Sequence, residues 1–469
     1  MKATDRIIFN TGITYARAVI TALISLYATR LILNALGAED FGLYNVIGGM
    51  VAMLSFLNAA MTTSTQRYLS FNLGRQDVEL VKGVFANSII IHFVVAFIVV
   101  VAIEVVALYF IDNQLKINPE RISVAKYILH FAVASTFITI ISVPYDAVIN
   151  AHENMLFLAV TSIIESFLKL AVALLIVYIS TDKLFLFGLL TMGATIIIRI
   201  IKQVYSKRKY EECSASLITY YSVSQIKELS SFAGWNLFGA LCALARNQGI
   251  AVVLNLFYTT VINAAYGIAN QINGQLMFFS QTMMSAIRPQ IMKSEGANDR
   301  ARMIRLSLSA NKFSFFLFTF FAVPLYFQMP FVLKIWLKEL PQYSVEFCRA
   351  ILLLTAANQI NMGLMTAVQA IGKIKLYQTV AGGIQLLTLP IGFVFLKFGY
   401  APYSIVLVSF GLECLSTVFR MFYFDYLTGY PVWLYFKDVI LLSIITMIPT
   451  AFFVMFLSKT MSLGWWNFV

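Results

Sequence analysis

Six stretches of this 469-residue chain run for 20 residues or more without Asp, Glu, Lys or Arg: 41–66, 83–103, 313–333, 350–372, 376–396 and 439–458. A seventh, 247–287, is about twice as long as one bilayer crossing requires and holds two, with a turn near Tyr258-Thr259-Thr260. A helix needs roughly 20 apolar residues to span the hydrocarbon core. Six further segments, 10–36, 126–149, 157–180, 184–205, 231–258 and 402–426, are long enough but carry one to three charges. The expected fold is all-α and polytopic, with about thirteen transmembrane helices and twelve or fourteen as the alternatives. Composition agrees. Hydrophobic residues make up 60% of the chain and charged ones 12%, where soluble domains carry about 25% charged residues. Lipid is the solvent this chain is built for.

The first apolar segment is not a cleaved leader. Lys2 and Arg6 resemble a charged leader start, but Arg17 interrupts the run, which continues to Leu36. The formal charge of +12 does not indicate nucleic acid, because the basic residues lie in short loops between apolar spans. With the N-terminus cytoplasmic, inner loops hold Arg67, Arg75, Lys82, Lys207–Lys209, Lys227, Arg288, Lys293, Arg300, Arg302, Arg305, Lys373 and Lys375. Outer loops hold Lys116, Arg121, Lys183, Lys334 and Lys338. Positive charge marks cytoplasmic loops, so the N-terminus is expected inside. Cys213, Cys242, Cys348 and Cys414 form no CxxC pair and read as small buried hydrophobes; His92, His130 and His152 have no metal-ligand spacing.

The two halves match at a shift of about 220 residues. Leu33-Asn34 corresponds to Leu254-Asn255, Ser64-x-x-Arg67 to Ser285-x-x-Arg288, Gly74-Arg-Gln-Asp77 to Gly296-Ala-Asn-Asp299, and Ala147-Val148 to Ala367-Val368. Six helices per repeat bring both halves into the membrane from the same side, the parallel-repeat plan of some transporters, with a substrate site between the halves. The expected division is an N-terminal six-helix bundle over 1–210, a cytoplasmic linker over 211–230, a second six-helix bundle over 231–430, and about one additional helix over 431–469.

Ionisable residues inside spans are costly and usually face a cavity or a partner. Arg17 lies about a third of the way along the first helix. Arg30, 13 residues on, points about 140° away from it at 100° per residue, and can snorkel. Glu165 and Lys169 are four apart and can pair. Arg246 occupies a depth in the seventh helix similar to that of Arg17. Glu413 and Arg420, seven apart, share a face. Glu104 and Arg199 lie near span ends, where they can snorkel. Arg67 and Arg288 mark the inner rim of each repeat, as anchors for lipid phosphates or as a cytoplasmic gate. Pro144, read as ending the fourth helix, and Gly363, at nearly the equivalent place in the tenth, are hinge candidates; Pro324, Pro330 and Pro390 are further bends. The deep charges lean cationic, which favours an anionic cargo.

Several motifs carry a resemblance. Phe9-Asn-Thr-Gly12 through Arg17, Arg30 through Gly37 to Tyr44-Asn, Thr65-Gln-Arg67-Tyr-Leu, Leu73-Gly-Arg-Gln-Asp77, Pro144-Tyr-Asp-Ala-Val-Ile-Asn-Ala-His-Glu153 and Phe232-Ala-Gly-Trp-Asn236 resemble Wzx-type polysaccharide flippases. These belong to the multidrug/oligosaccharidyl-lipid/polysaccharide exporter superfamily. The likeness runs from residue 1 to about residue 430. It implies two six-helix bundles around a central cationic cavity, with extra C-terminal helices, in a bacterial inner membrane. The implied cargo is an undecaprenyl-pyrophosphate-linked O-antigen or capsule repeat unit moved to the periplasmic leaflet. Cavity arginines of the family map onto Arg17 and Arg246. The departure is near the end: the Trp465-Trp466 pair lies three residues before the last residue given, Val469, so a fourteenth helix is not expected.

Arg17, Arg246, Arg30, Lys169 and Arg420 are therefore the candidate substrate-binding residues. Arginine matches phosphate geometry with a bidentate fork. Glu165 and Glu413 are candidate coupling residues for a proton or sodium ion. No other cofactor or metal is expected. Expected partners are the lipid-linked oligosaccharide, membrane lipids, and a polysaccharide polymerase with its assembly proteins. The rival in the same superfamily is a multidrug antiporter, which would depend on acidic residues. An enzyme would need a large periplasmic loop or a carboxylate cluster at a membrane face, and the sequence has neither.

Overall fold

The computed structural model describes residues 3–52, 55–115, 117–179, 181–337 and 340–460. Lys2, Lys116, Lys338 and the Trp465-Trp466 pair lie outside them. Every regular element among the described residues is helical. In chain order these are α1 (Ala3–Ala52), α2 (Ser55–Arg75), α3 (Val78–Asn113), α4 (Ile122–Ala151), α5 (Met155–Tyr178), α6 (Lys183–Lys209), α7 (Val223–Phe257) and α8 (Thr260–Gly296). The chain continues through α9 (Arg300–Trp336), α10 (Ser344–Gln359), α11 (Met362–Ile371), α12 (Ile374–Leu386), α13 (Thr388–Lys397), α14 (Ser404–Thr428), α15 (Val432–Tyr435) and α16 (Leu442–Thr460). Among the described residues, 11 helices are long and apolar enough to cross a membrane. α2 and α8 are not among them, because polar side chains interrupt their apolar faces.

The breaks within expected passages have local causes. α1 is interrupted at Gly37, whose φ of 76° lies in the left-handed region open to glycine. The first expected passage therefore ends at Leu36. α12 stops at Leu386, four residues before Pro390, whose ring clashes with the carbonyl at that position. The division between α10 and α11 falls at Ile360-Asn361, and α7 and α8 are separated at Tyr258-Thr259 as expected. Pro144 does not end the fourth helix. α4 runs seven residues beyond it to Ala151, and ties to α6 flank the proline: Arg199 Nη1 donates to Ser142 Oγ at 2.8 Å, and Lys202 pairs with Asp146 at 2.8 Å. Proline is tolerated in a membrane helix when neighbours support the freed backbone.

The chain divides into two compact units, 1–237 and 238–469. The division falls inside α7 rather than in a linker. The expected linker over 211–230 is correspondingly shorter, a turn at Glu211–Ser214 and a loop before α7 begins at Val223. In the first unit α4 packs against α2, α3 and α6, and α1 against α5; Ile128, Leu129 and Ile140 of α4 are fully enclosed. In the second, α8, α9, α10 and α14 surround Phe318, Phe347, Leu333 and Ile405, with α16 laid on α9. Small residues let membrane helices approach, so contact rather than water exclusion holds such bundles.

The matched loops share geometry as well as sequence. Gln76 and Asn298 adopt φ of 59° and 61°. In the first loop the amides of Gln76 and Asp77 donate to the carbonyls of Leu73 and Asn72; in the second those of Asn298 and Asp299 donate to Glu295 and Ser294. Asp77 then caps α3 through the Leu80 amide, and Asp299 caps α9 through the Arg302 amide, each at 3.0 Å. Further on, Glu153 and Gly372, one shift apart, both have positive φ, 60° and 92°.

Several charges settle differently from expectation. Arg199 turns inward onto Ser142 and the Tyr145 ring instead of snorkelling. Glu104 pairs with His130. Arg121 bridges two helices of the first unit, binding Asp40 at 2.6 Å and also Asp182. His152 meets Glu212 at 2.7 Å and stacks on Tyr210. Cys213, Cys242 and Cys348 are buried, but Cys414 is exposed, correcting the uniform expectation. Burial pushes the Cys213 thiol up, leaving it unreactive.

Candidate functional site

A cavity of about 310 Å³ lies within the second unit, bounded by α7, α8, α10, α11, α12 and α14. This is at the lower end of the volume that small-molecule sites occupy. Its lining is written as helical stripes. α7 contributes Ala243, Arg246, Asn247 and Ile250; α8 contributes Tyr266, Asn270, Asn273 and Met277. Steps of three and four residues place each set on one face. α10 and the break after it add Thr355, Asn358, Gln359, Asn361 and Met362, while Tyr377, Gln385 and Arg420 close the far side.

Two cations reach this space. Arg246 is half-buried, with Nε donating to Asn247 Oδ1 at 3.3 Å. Arg420 is 5% exposed, pairs with Glu413, and lies over the Tyr377 ring at 5.7 Å. Glu413 itself is 1% exposed and stands behind Arg420. The described lining holds no carboxylate. Among the described residues, Glu413 Oε2, Arg420 Nε and both amide atoms of Gln359 have no hydrogen-bonding partner. Buried polar groups are normally satisfied, so these unused donors and acceptors mark the place where a polar ligand has most to gain. Other amides are committed: Thr355 Oγ1 donates to Asn273 Oδ1 at 2.7 Å, and Asn361 Nδ2 to Thr417 Oγ1 at 2.8 Å.

The wall formed by α10 and α11 is held in its broken shape by a specific set of bonds. Asn311 of α9 accepts from the Gly363 and Leu364 amides, at 2.6 and 3.3 Å, and donates through Nδ2 to the Tyr435 hydroxyl at 2.9 Å. That hydroxyl donates to the Ile360 carbonyl at 2.9 Å. Tyr435, fully buried in α15, thus stitches the backbone opened at the break. Gly363 sits where backbone approaches closely: a Cβ there would lie 2.1 Å from the Ser307 carbonyl oxygen. Removing the hydroxyl in Tyr435→Phe is expected to cost about 1–3 kcal/mol, because a buried carbonyl and amide lose their partner. Denaturant titration of the purified protein measures it.

The structure therefore brings Arg246, Arg420 and Glu413 together in the second unit. The remaining candidates belong to the first. Arg17 is half-buried on α1 and Arg30 is exposed on the same helix. Lys169 Nζ lies 2.7 Å from Glu165 Oε1, on a partly exposed face of α5. Arg67 is 6% exposed, with its guanidinium against the rings of Tyr68, Phe71 and Phe232 at 4.3 to 5.5 Å. Its guanidinium is thus packed over aromatic faces, a favourable placement for a cation. Arg288 of the second unit, the other rim residue, is half-buried on α8. The amide stripe of the cavity was missed by a reading that followed charges alone. Tyr266, Asn270, Asn273 and Met277 recur at helical spacing inside an apolar run, which is the signal that exposes it.

No protein-family model matches the sequence, and no curated protein aligns with it. Solved structures do. An outward-facing multidrug resistance MATE family transporter of the MOP superfamily superposes with a TM-score of 0.75 at 13% identity, over 91% of this chain and 97% of that one. A MATE structure in the bent conformation gives 0.75 at 14%, over 92% and 97%. A MOP superfamily transporter from Pyrococcus furiosus, described by the reverse polarity of its binding pocket, gives 0.74 at 13%, over 91% and 97%. At such identities the likeness establishes the fold, an all-helical transporter fold of the MATE type.

Proposed function

We propose that this chain is a multi-pass inner-membrane transporter that moves an anionic, phosphate-bearing cargo by alternating access. The cargo that best fits is an oligosaccharide repeat unit linked to undecaprenyl pyrophosphate, carried from the cytoplasmic to the periplasmic leaflet. The observation that supports this reading is the presence of two arginines, Arg246 and Arg420, on one cavity whose described lining lacks a carboxylate. Charge-assisted bonds from guanidinium to phosphate are strong and bidentate. The amide stripe beside them offers donors and acceptors to sugar hydroxyls. The lipid tail stays in the bilayer while the polar head crosses. With the membrane negative inside, each negative charge moved outward gains about 2.3 kcal/mol per 100 mV, so the potential assists export. Polymerase and assembly proteins remain the proposed downstream partners.

The test is flipping of a fluorescent pyrophosphate-linked oligosaccharide in proteoliposomes with an imposed potential. Wild-type protein is expected to flip it faster with the acceptor side positive. Arg246→Ala is expected to slow flipping about 10- to 100-fold, the loss of one charged hydrogen-bonding group worth roughly 1.5–3 kcal/mol. Arg246→Lys separates charge from fork geometry: full activity means charge suffices. Indifference to both the potential and Arg246 would remove the reading.

A second reading has its own support. Glu413, with one oxygen unpartnered beside the cavity, suits a proton or sodium site in a multidrug or other small-molecule antiporter. One similar structure is itself a multidrug resistance transporter. Under that reading, organic cations are exported in exchange for protons, Glu413→Gln abolishes export, and the lipid-linked sugar is not moved.

A further inference from the structure

We infer that the linker after α6 forms a docking site for an anionic phospholipid headgroup of the cytoplasmic leaflet, separate from the transport cavity and independent of the cargo. A concave site of about 470 Å³ lies in the first unit between the start of α3, the end of α6 and the loop 211–222. Four cations line it: Lys82, Lys207, Arg208 and Lys209. Ser216 adds a short-range hydroxyl donor. The only acid on the described lining is Glu211. Glu79, nearby, is occupied by Lys82 at 3.1 Å and by the Tyr220 hydroxyl at 2.8 Å. The site therefore keeps a surplus of positive charge.

Two independent features say what should fill it. The first is position. Lys207, Arg208 and Lys209 end α6, which is long and apolar enough to cross the membrane. Their side chains consequently sit at headgroup depth. Basic clusters directly cytoplasmic of a membrane helix bind anionic lipid. The second is the loop itself. Beside the cations, Leu217, Ile218 and Tyr221 project outward, with Ile218 91% exposed. A soluble phosphate site has no use for an exposed apolar knuckle. A lipid site does, because the acyl region lies next to the phosphate.

The loop is also held in place before any lipid arrives. Asn87, fully buried on α3, donates to the Tyr220 carbonyl at 2.8 Å and accepts from the Ser222 amide at 3.0 Å. Tyr220 N donates to Ser216 O at 3.2 Å, closing the turn that carries Leu217 and Ile218. An ordered turn means that binding costs little loop entropy.

The experiment uses the full-length protein in neutral detergent, challenged with phosphatidylglycerol, phosphatidylcholine or inorganic phosphate, with bound lipid counted by native mass spectrometry. The expected result is preferential retention of phosphatidylglycerol. Lys207→Gln with Arg208→Gln should weaken it about 30-fold, two cations at about 1 kcal/mol each. Ile218→Ser should weaken phosphatidylglycerol about tenfold. Lys334→Gln with Lys397→Gln, which neutralises two cations of the second unit, should leave retention unchanged. Equal retention of the two lipids overturns the proposal. So does an equal loss in the Lys334/Lys397 control, which would mean diffuse charge attraction. Displacement of lipid by millimolar inorganic phosphate, with no effect of Ile218→Ser, would assign the site to a soluble phosphate instead and also overturn it. These readouts involve neither flipping nor drug export, so they stand or fall apart from the proposed cargo.

Discussion

Arg420→Met is expected to destabilise the second unit by about 3–5 kcal/mol, the cost of stranding a buried charge after removing its partner. Glu413, 1% exposed, has Arg420 as its ion-pair partner and leaves its other oxygen unused. Without the guanidinium, the carboxylate must either stay ionised in an apolar bundle or take up a proton. The double variant Glu413→Gln/Arg420→Met removes both charges, and is expected to recover most of the lost stability, because replacing a whole buried pair is often neutral. Denaturant titration of purified protein measures the three species, and a double-mutant cycle isolates the coupling. If the single variant loses less than about 1 kcal/mol, the pair is not the buried unit described here. Transport then separates structure from function. A double variant that is stable but does not move the proposed phosphate-linked cargo, while Glu413→Gln alone still does, makes Arg420 a cargo contact. One that transports normally makes the pair a structural strut.

Much of the fold was legible because lipid imposes a long-wavelength rule. Charge-free runs located most passages; the Tyr258-Thr259 boundary is legible because its run is twice as long as one crossing needs, and Leu36 because the apolar run ends there, just before Gly37. The repeat was legible through its loops: Asp77 and Asp299 recur because each caps a helix after a left-handed residue. What stayed hidden depends on pairings between distant positions. Arg121 looked like an outer-loop cation, yet it clamps Asp40 and Asp182, 81 and 61 residues away. Arg67 reads in sequence as a rim residue, anchor or gate, and its aromatic surroundings include Phe232, far along the chain. Arg199 was placed at a span end, but a helix end in sequence can face a neighbouring helix in space, here Ser142.

Within the site, the charged members were visible and the neutral ones were not. Arg246, Arg420 and Glu413 stand out in apolar runs because their burial is costly. Asparagine and glutamine carry a smaller penalty, so a reading tuned to charge passes over them although they make up much of the cavity wall. Pro144 and Gly363, the hinge candidates, show how much the neighbours matter. Both residue types suggest flexibility, yet each has close neighbours here, flanking ties to α6 in one case and backbone of α9 in the other. The local residue type announces that something unusual happens to the backbone; only the neighbours decide whether that is motion or close packing.

Gly363→Ala tests that distinction directly, and a net loss of about 1–3 kcal/mol is expected. The added methyl would lie 2.1 Å from the Ser307 carbonyl oxygen and 3.0 Å from Asn311 Oδ1. Backbone cannot swing aside as a side-chain tip can, so α11 must move off α9. Overpacking alone costs about 1–3 kcal/mol. The shift also lengthens the 2.6 Å bond from the Gly363 amide to Asn311, adding about 1 kcal/mol. Helix propensity works the other way, favouring alanine by up to about 1 kcal/mol, and is outweighed. Gly383→Ala is the matched control: it lies in α12, and a methyl added there would meet nothing within 4 Å, so it should be neutral or stabilising by about 0.5–1 kcal/mol. Since Asn361 and Met362 line the cavity immediately before Gly363, transport should fall with stability in Gly363→Ala but not in Gly383→Ala. A hinge that needs glycine for rotation predicts something else, a Gly363→Ala protein of normal stability with slowed turnover. Equal stability of the two alanine variants would therefore reject close packing at the break between α10 and α11, and return Gly363 to the role of a swivel.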